Sequence, residues 1–276
     1  MANSHGGHVT DYRTTHRTDN WWIEPAVTAV AFSLWVLYLL WATSQGKYYA
    51  AGPYTSPFYA PLLFVDPQAP GSPPLEHALI GRLPNWLPGV LASPAIFTAW
   101  MPGVFRLTCY YYRKFYYRSF FGVPPGCAVG ARKMDYRGET GLLVIQNLHR
   151  YTLYIAIALL PFLFFEAGSA FFYKGSFGVG VGSIILLINA ILLSSYTFGC
   201  HAWRHLSGGR LNCFSCDGGA RTSLKVWTWS TWFNERHQQF AWASLWFILF
   251  TDVYIRLLSM GFIPDLNTWT GVQWIR

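Results

Sequence analysis

Five apolar runs, residues 25–43, 89–107, 142–165, 179–196 and 240–258, punctuate the 276-residue chain. Each approaches the roughly twenty residues that a helix needs to cross about 30 Å of hydrocarbon. A segment in lipid must satisfy its backbone N–H and C=O groups internally, so the runs read as transmembrane helices. Hydrophobic residues make up 53% of the chain and charged ones only 12%, a balance that fits a bilayer better than one large soluble core. The expected fold is an all-α, five-transmembrane-helix bundle with helices over 25–43, 89–107, 142–165, 179–205 and 238–260, within a membrane domain spanning 25–262. Pro94 and Pro102 interrupt the second run, but neighbouring helices can re-satisfy the carbonyls that proline frees, so it stays in the count.

No charged n-region, short apolar stretch and cleavage site opens the chain; residues 1–24 form a polar, His-rich tail. Fifteen of the twenty lysines and arginines fall in the tail, in the loops 108–141 and 206–236, or at the helix ends beside them. The positive-inside rule then puts the N-terminus in the cytoplasm and the C-terminal tail 263–276 outside, in a multi-pass protein of a bacterial plasma (inner) membrane. Cys109, Cys127, Cys200, Cys213 and Cys216 all come out on the inner side, where thiols stay reduced or bind metal, so disulfides are not expected. The net charge of +8 lies mostly on that face. It is either the ordinary bias of an inner-membrane protein or a docking surface for a partner protein. Nucleic acid is not an expected partner.

The outer loop 45–88 carries prolines at 53, 57, 61, 67, 70, 73, 74, 84 and 88, which exclude a long helix and suggest a stiffened outer lid. The run CYYYRKFYYRSFFG reads as an interfacial belt, rings at headgroup level and basic groups at phosphates. Trp227, Trp229 and Trp232, and Trp269 and Trp274, extend that belt to both faces.

Chemistry concentrates in GCHAWRHLSGGRLNCFSCDGG. On a helix His201 and His205 share one face, about 40° apart, while Cys200 stands about 100° from His201. Cys213 and Cys216 form a C-x2-C knuckle, a spacing that lets two thiolates share a metal. His149 and His237 converge at the same cytoplasmic level from other helices. The candidate metal ligands are therefore His149, Cys200, His201, His205, Cys213, Cys216 and His237. Thiolate plus imidazole suits a Rieske-type [2Fe–2S] cluster, whereas paired imidazoles alone suit a b-type haem and the same ligands could hold structural zinc. Any one of these histidines could instead be a hydrogen-bonded interfacial side chain. His5, His8 and His16 belong to the tail.

Deeper in the bundle, Asp252 and Arg256 are four apart and can pair; Glu166 ends the third helix at a similar outer level. They are either a neutralised structural pair or an outer proton or quinone site. Asn189, Ser194 and Ser195 are read as interhelical hydrogen bonds. A transporter would show discontinuous helices in related pairs with midplane polar groups, and little here fits that.

The segments YYAAGPYTSPFYAP, YYYRKFYYRSFFGVPPGCAVGARK, GCHAWRHLSGGRLNCFSC and NERHQQFAWASLWFILFTDVYIRL give the whole chain its resemblance to a family. It resembles the membrane-anchor, cytochrome b-like subunit of succinate dehydrogenase (respiratory complex II), most closely the actinobacterial five-helix type with a Rieske-type cluster. The resemblance implies an anchor without succinate chemistry of its own. Flavoprotein and iron–sulfur subunits would dock on the basic face and pass electrons to quinone, in a complex that could form a higher oligomer. Other anchors of the family hold one or two haems b, and the cysteine content here favours the cluster. Arg106, Trp203, Arg204 and His237 are candidates for the quinone headgroup, which needs aromatic and hydrogen-bonding groups near the relay.

Overall fold

The computed structural model describes residues 12–84, 86–87, 89–132, 145–209 and 211–273; expectations for His5, His8 and Trp274 lie outside them. In chain order the helices are α1 (Ile23–Gln45), α2 (Ala95–Thr98), α3 (Trp100–Thr108), α4 (Tyr110–Tyr116), α5 (Ile145–Ser169), α6 (Val181–Phe198), α7 (His201–Arg204), α8 (Gly218–Glu235) and α9 (His237–Ser259). Among the described residues, α1, α5, α6 and α9 are long and apolar enough to cross a bilayer.

The second expected helix differs. It is the short α2 and α3, and Cys109, in extended conformation, separates α3 from α4. Pro94 precedes α2 and Pro102 is the third residue of α3, positions where no intrahelical N–H is required. The fourth expected helix stops at Phe198 instead of running to 205, because Gly199 and Cys200 break it before α7. An additional helix, α8, occupies the expected inner loop 206–236, and the Asp217 side chain caps it by accepting from the Ala220 N–H at 2.7 Å. Trp229 and Trp232 lie exposed on it.

Helix α6 packs between α5 and α9, and α3 packs on α5. Phe105, Tyr112, Leu153, Leu193, Tyr196 and Leu245 fill the core between them. Val27, Val30, Leu34, Leu37 and Leu40, each at least 61% exposed, recur every three or four residues along α1 and form a face suited to lipid. Gly46, with φ of 61°, ends α1 in the left-handed conformation that favours glycine.

The proline-rich loop is a plug more than a lid. It carries the ribbons β1 (Ala50–Ala51) with β2 (Tyr54–Thr55) and β3 (Phe64–Val65) parallel to β4 (Gly81–Arg82). Tyr49, Tyr54, Tyr59, Leu62 and Val65 are buried, and the Tyr49 and Tyr59 rings stack at 4.0 Å. Two more antiparallel ribbons close the same end, β5 (Phe172–Tyr173) with β6 (Ser176–Phe177) and β7 (Asp265–Asn267) with β8 (Gly271–Gln273). There the Tyr54 and Tyr254 hydroxyls donate to buried Asp265, at 2.7 and 2.5 Å. At the opposite end the amino-terminal segment is strapped to a later loop: Gly130 N–H donates to Thr14 O at 2.8 Å and Arg17 to Cys127 O at 2.9 Å.

One polar clasp ties α9, α1 and the plug. Asp252, fully buried, accepts from Tyr38 Oη at 2.5 Å, from the Ser56 hydroxyl and from Arg256 Nε at 2.7 Å. Arg256 also donates to Ala42 O at 2.8 Å and Lys47 O at 3.1 Å. Glu166 bonds Thr55, the neighbour of Ser56. The partners of Asp252 and Arg256 all belong to this chain, the arrangement of a structural clasp. Asp252→Ala should therefore cost about 3–5 kcal/mol by leaving the guanidinium unpaired, and an apolar Asp252→Leu, Arg256→Met pair should cost less. Thermal melting of the purified complex distinguishes the two variants.

Candidate metal centre

Two thiols sit where helices are interrupted. Cys109 (φ −66°, ψ 138°) follows α3 and Cys200 (φ −65°, ψ 140°) follows α6, so each leaves one helix extended and caps the next. The Ala202 amide donates to the Cys200 sulfur at 3.3 Å, whereas Cys109 holds the N-cap position of α4 without a side-chain bond to its amides. Both thiols are 1% exposed. Asn234 Nδ2 takes up the carbonyl of Gly199 at 2.8 Å. A side chain on Gly199 would stand 2.9 Å from Phe233 O and 3.1 Å from His237 Nδ1, so the closeness of α6 to the α8–α9 corner requires glycine there.

Two imidazoles meet these thiols. His149 on α5 places Nε2 2.9 Å from Cys200 Sγ, while its Nδ1 lies 3.0 Å from Thr108 Oγ1. His237 opens α9 and places Nε2 3.7 Å from Cys109 Sγ. Each ring lies flat on an aromatic neighbour, His149 on Phe105 at 4.6 Å and 9°, His237 on Tyr196 at 4.9 Å and 5°. The two sulfurs are electrostatic neighbours, as are the two imidazoles. A cavity of about 610 Å³ opens beside the four, lined also by Arg113, Arg150, Asn147 and Asn234, with no carboxylate among its lining residues.

The inventory of two cysteines and two histidines is that of a Rieske-type [2Fe–2S] centre. In the structure each thiol contacts one imidazole, Cys200 with His149 and Cys109 with His237, and among the described residues no three His, Cys, Asp or Glu side chains group to hold one ion. A mononuclear tetrahedral zinc would need that convergence. The Nδ1 bond of His149 to Thr108 orients its ring, as partners behind metal-bound histidines do.

The structure thus brings together His149, Cys200 and His237 and adds Cys109, which the sequence pattern left among the unassigned thiols. Its signal was a cysteine at an inner helix end, the same setting as Cys200. His201 and His205 are exposed at the cavity rim. Cys213 and Cys216 are joined in a disulfide and do not line the cavity, contrary to the expectation of free, metal-binding thiols. The tight C-x2-C turn holds their Cα atoms 5.9 Å apart, within disulfide reach. Of the quinone candidates, Arg106 is buried behind the site, and Trp203 and Arg204 face α8 and its flanks: Arg204 bonds Asn234 Oδ1 at 3.0 Å and lies 4.5 Å over Trp227. Glu166, Asp252 and Arg256 belong to the other end of the bundle. From these placements, a maleimide should label exposed Cys127 readily while Cys109 and Cys200 stay unlabelled until denaturation; mass spectrometry of the peptides reads this directly.

Residues 23–261 match the family model described as the actinobacterial succinate dehydrogenase subunit SdhC. A chain of the solved structure "Mycobacterium smegmatis Sdh1 complex in the apo form" is 35% identical, with a TM-score of 0.80 over 95% of this chain and 96% of that one. No curated protein matches. With its apolar helices and a family match over most of its length, the chain belongs to the actinobacterial SdhC family and is a membrane-anchor subunit of a succinate dehydrogenase complex.

Proposed function

We propose that this anchor relays electrons from the soluble flavoprotein and iron–sulfur subunits to quinone through a Rieske-type [2Fe–2S] cluster held by Cys109, Cys200, His149 and His237. The observation that carries the reading is the meeting of two buried thiols, buried His237 and half-buried His149 from four separate elements around one cavity. When bound, such a cluster accepts and donates single electrons at a potential raised by its imidazole ligands. The chain's residues supply the rest. Cys109 and Cys200 would supply the thiolate ligands, with the Ala202 amide sharing the charge on Cys200, and His149 and His237 would supply the imidazoles, their rings stacked on Phe105 and Tyr196. Haem b, the second reading, would use His149 and His237 alone and leave the two buried thiols beside them unexplained.

The chain crosses the bilayer five times in this reading, the second pass being the broken α2–α3–α4, with the metal centre near the cytoplasmic leaflet of the plasma membrane and the N-terminus inside. Exposed Arg150, Arg221 and Lys225 then lie on the face that receives the partner subunits. Quinone meets the relay beside α7. Trp203 Nε1 and Arg204 Nε are buried and have no acceptor among the described residues, so two adjacent residues offer unused donors for a quinone carbonyl.

Metal analysis and electron paramagnetic resonance of the purified complex test the assignment. About two irons with two acid-labile sulfides per anchor and a rhombic signal are expected, lost in Cys109→Ser and Cys200→Ser and kept in Cys213→Ser. Zinc without iron, or a Soret band, overturns it. Thr108→Val should weaken iron retention roughly 10–100-fold by freeing the His149 ring. Trp203→Phe should raise the quinone KM roughly 5- to 100-fold, the cost of one buried hydrogen bond, with the resonance signal intact.

A further inference from the structure

We infer that Arg106 sets the reduction potential of the metal centre, acting as a fixed positive charge that favours the centre's reduced form. The inference rests on the cluster reading above. Arg106 on α3 is 7% exposed. Its guanidinium donates to the Tyr112 hydroxyl, to Ala241 O at 3.3 Å and to Ser244 Oγ at 2.9 Å, all neutral oxygens of this chain. Among the described residues, none of the ion pairs includes it. An ionised side chain buried in a bundle without a counter-charge is costly to keep, and such groups mark function. The guanidinium lies 4.7 Å over the Tyr196 ring, and that ring stacks on His237.

The charge balance gives the direction. Two ferric ions, two sulfides, two thiolates and two neutral imidazoles sum to zero, and one electron received from the partner iron–sulfur subunit leaves the centre negative. A neighbouring cation stabilises only the second state, and the dry surroundings strengthen the effect. Three of its five N–H donors are committed to Tyr112, Ala241 and Ser244, and Arg106 does not line the cavity beside the four donors, so its charge is the contribution assigned to it in place of the quinone contact expected from sequence.

The test is a redox titration of the paramagnetic signal in the whole complex. Arg106→Gln should shift the ratio of reduced to oxidised centre at fixed potential by tenfold or more, a midpoint at least 59 mV more negative for a one-electron couple. Arg106→Lys should restore most of it. Ser244→Asp, which neutralises the guanidinium in place, should lower the midpoint in the same sense and serves where Arg106→Gln does not assemble. An unchanged midpoint in an iron-loaded variant overturns the inference, as does a rise in quinone KM alone, which would make Arg106 a headgroup contact. Absence of iron from the unsubstituted complex would instead defeat the cluster reading itself.

Discussion

An interrupted backbone survives inside a membrane only where the freed polar groups turn toward protein, and the interruptions at Cys109 and Cys200 meet that condition. Each thiol sits at the N-cap of a new helix, where the first amides have no intrahelical carbonyl to serve, and at Cys200 the sulfur accepts from one of them. The rest of the bundle can be understood as support for these two breaks. Asn234 takes the carbonyl of Gly199, Thr108 closes on its own turn at 2.9 Å and reaches His149, and α5 and α9 deliver imidazoles at the depth the breaks define. Were either helix continuous, its cysteine would lie on the helix wall with a backbone carbonyl claiming those amides.

The two ends of the molecule divide the polar work. The clasp of Asp252 and Arg256 pairs charge with charge and leaves a neutral, locked closure. At the end that holds the cavity, Arg106 is buried and the described ion pairs do not include it. An aromatic face meets that charge, with Arg106 over Tyr196 at 4.7 Å. Flat stacking of the His149 and His237 rings leaves little room for ring rotation.

The sequence made the four long helices legible, because uninterrupted apolar runs admit few other structures in lipid. That His149, Cys200 and His237 meet at one level was legible for the same reason: a helix converts sequence distance into depth. Cys109 was harder, since its role depends on an extended residue between two helices, and an aromatic-basic belt masks that break. Cys213 and Cys216 illustrate the converse. A C-x2-C turn satisfies a disulfide and a metal equally, and only the position of the loop relative to the cavity separates the two. Helix α8 went unread because its apolar residues alternate with serine, threonine and lysine, a pattern of the membrane surface and not of its interior.

The strap at the amino end has a bearing on biogenesis. Residues 13–17 are held by the carbonyls and amides of residues 127–130, more than a hundred positions later. Residues 13–17 therefore find their place only after α1 and α3 have been made, so this segment is among the later parts of its side to settle.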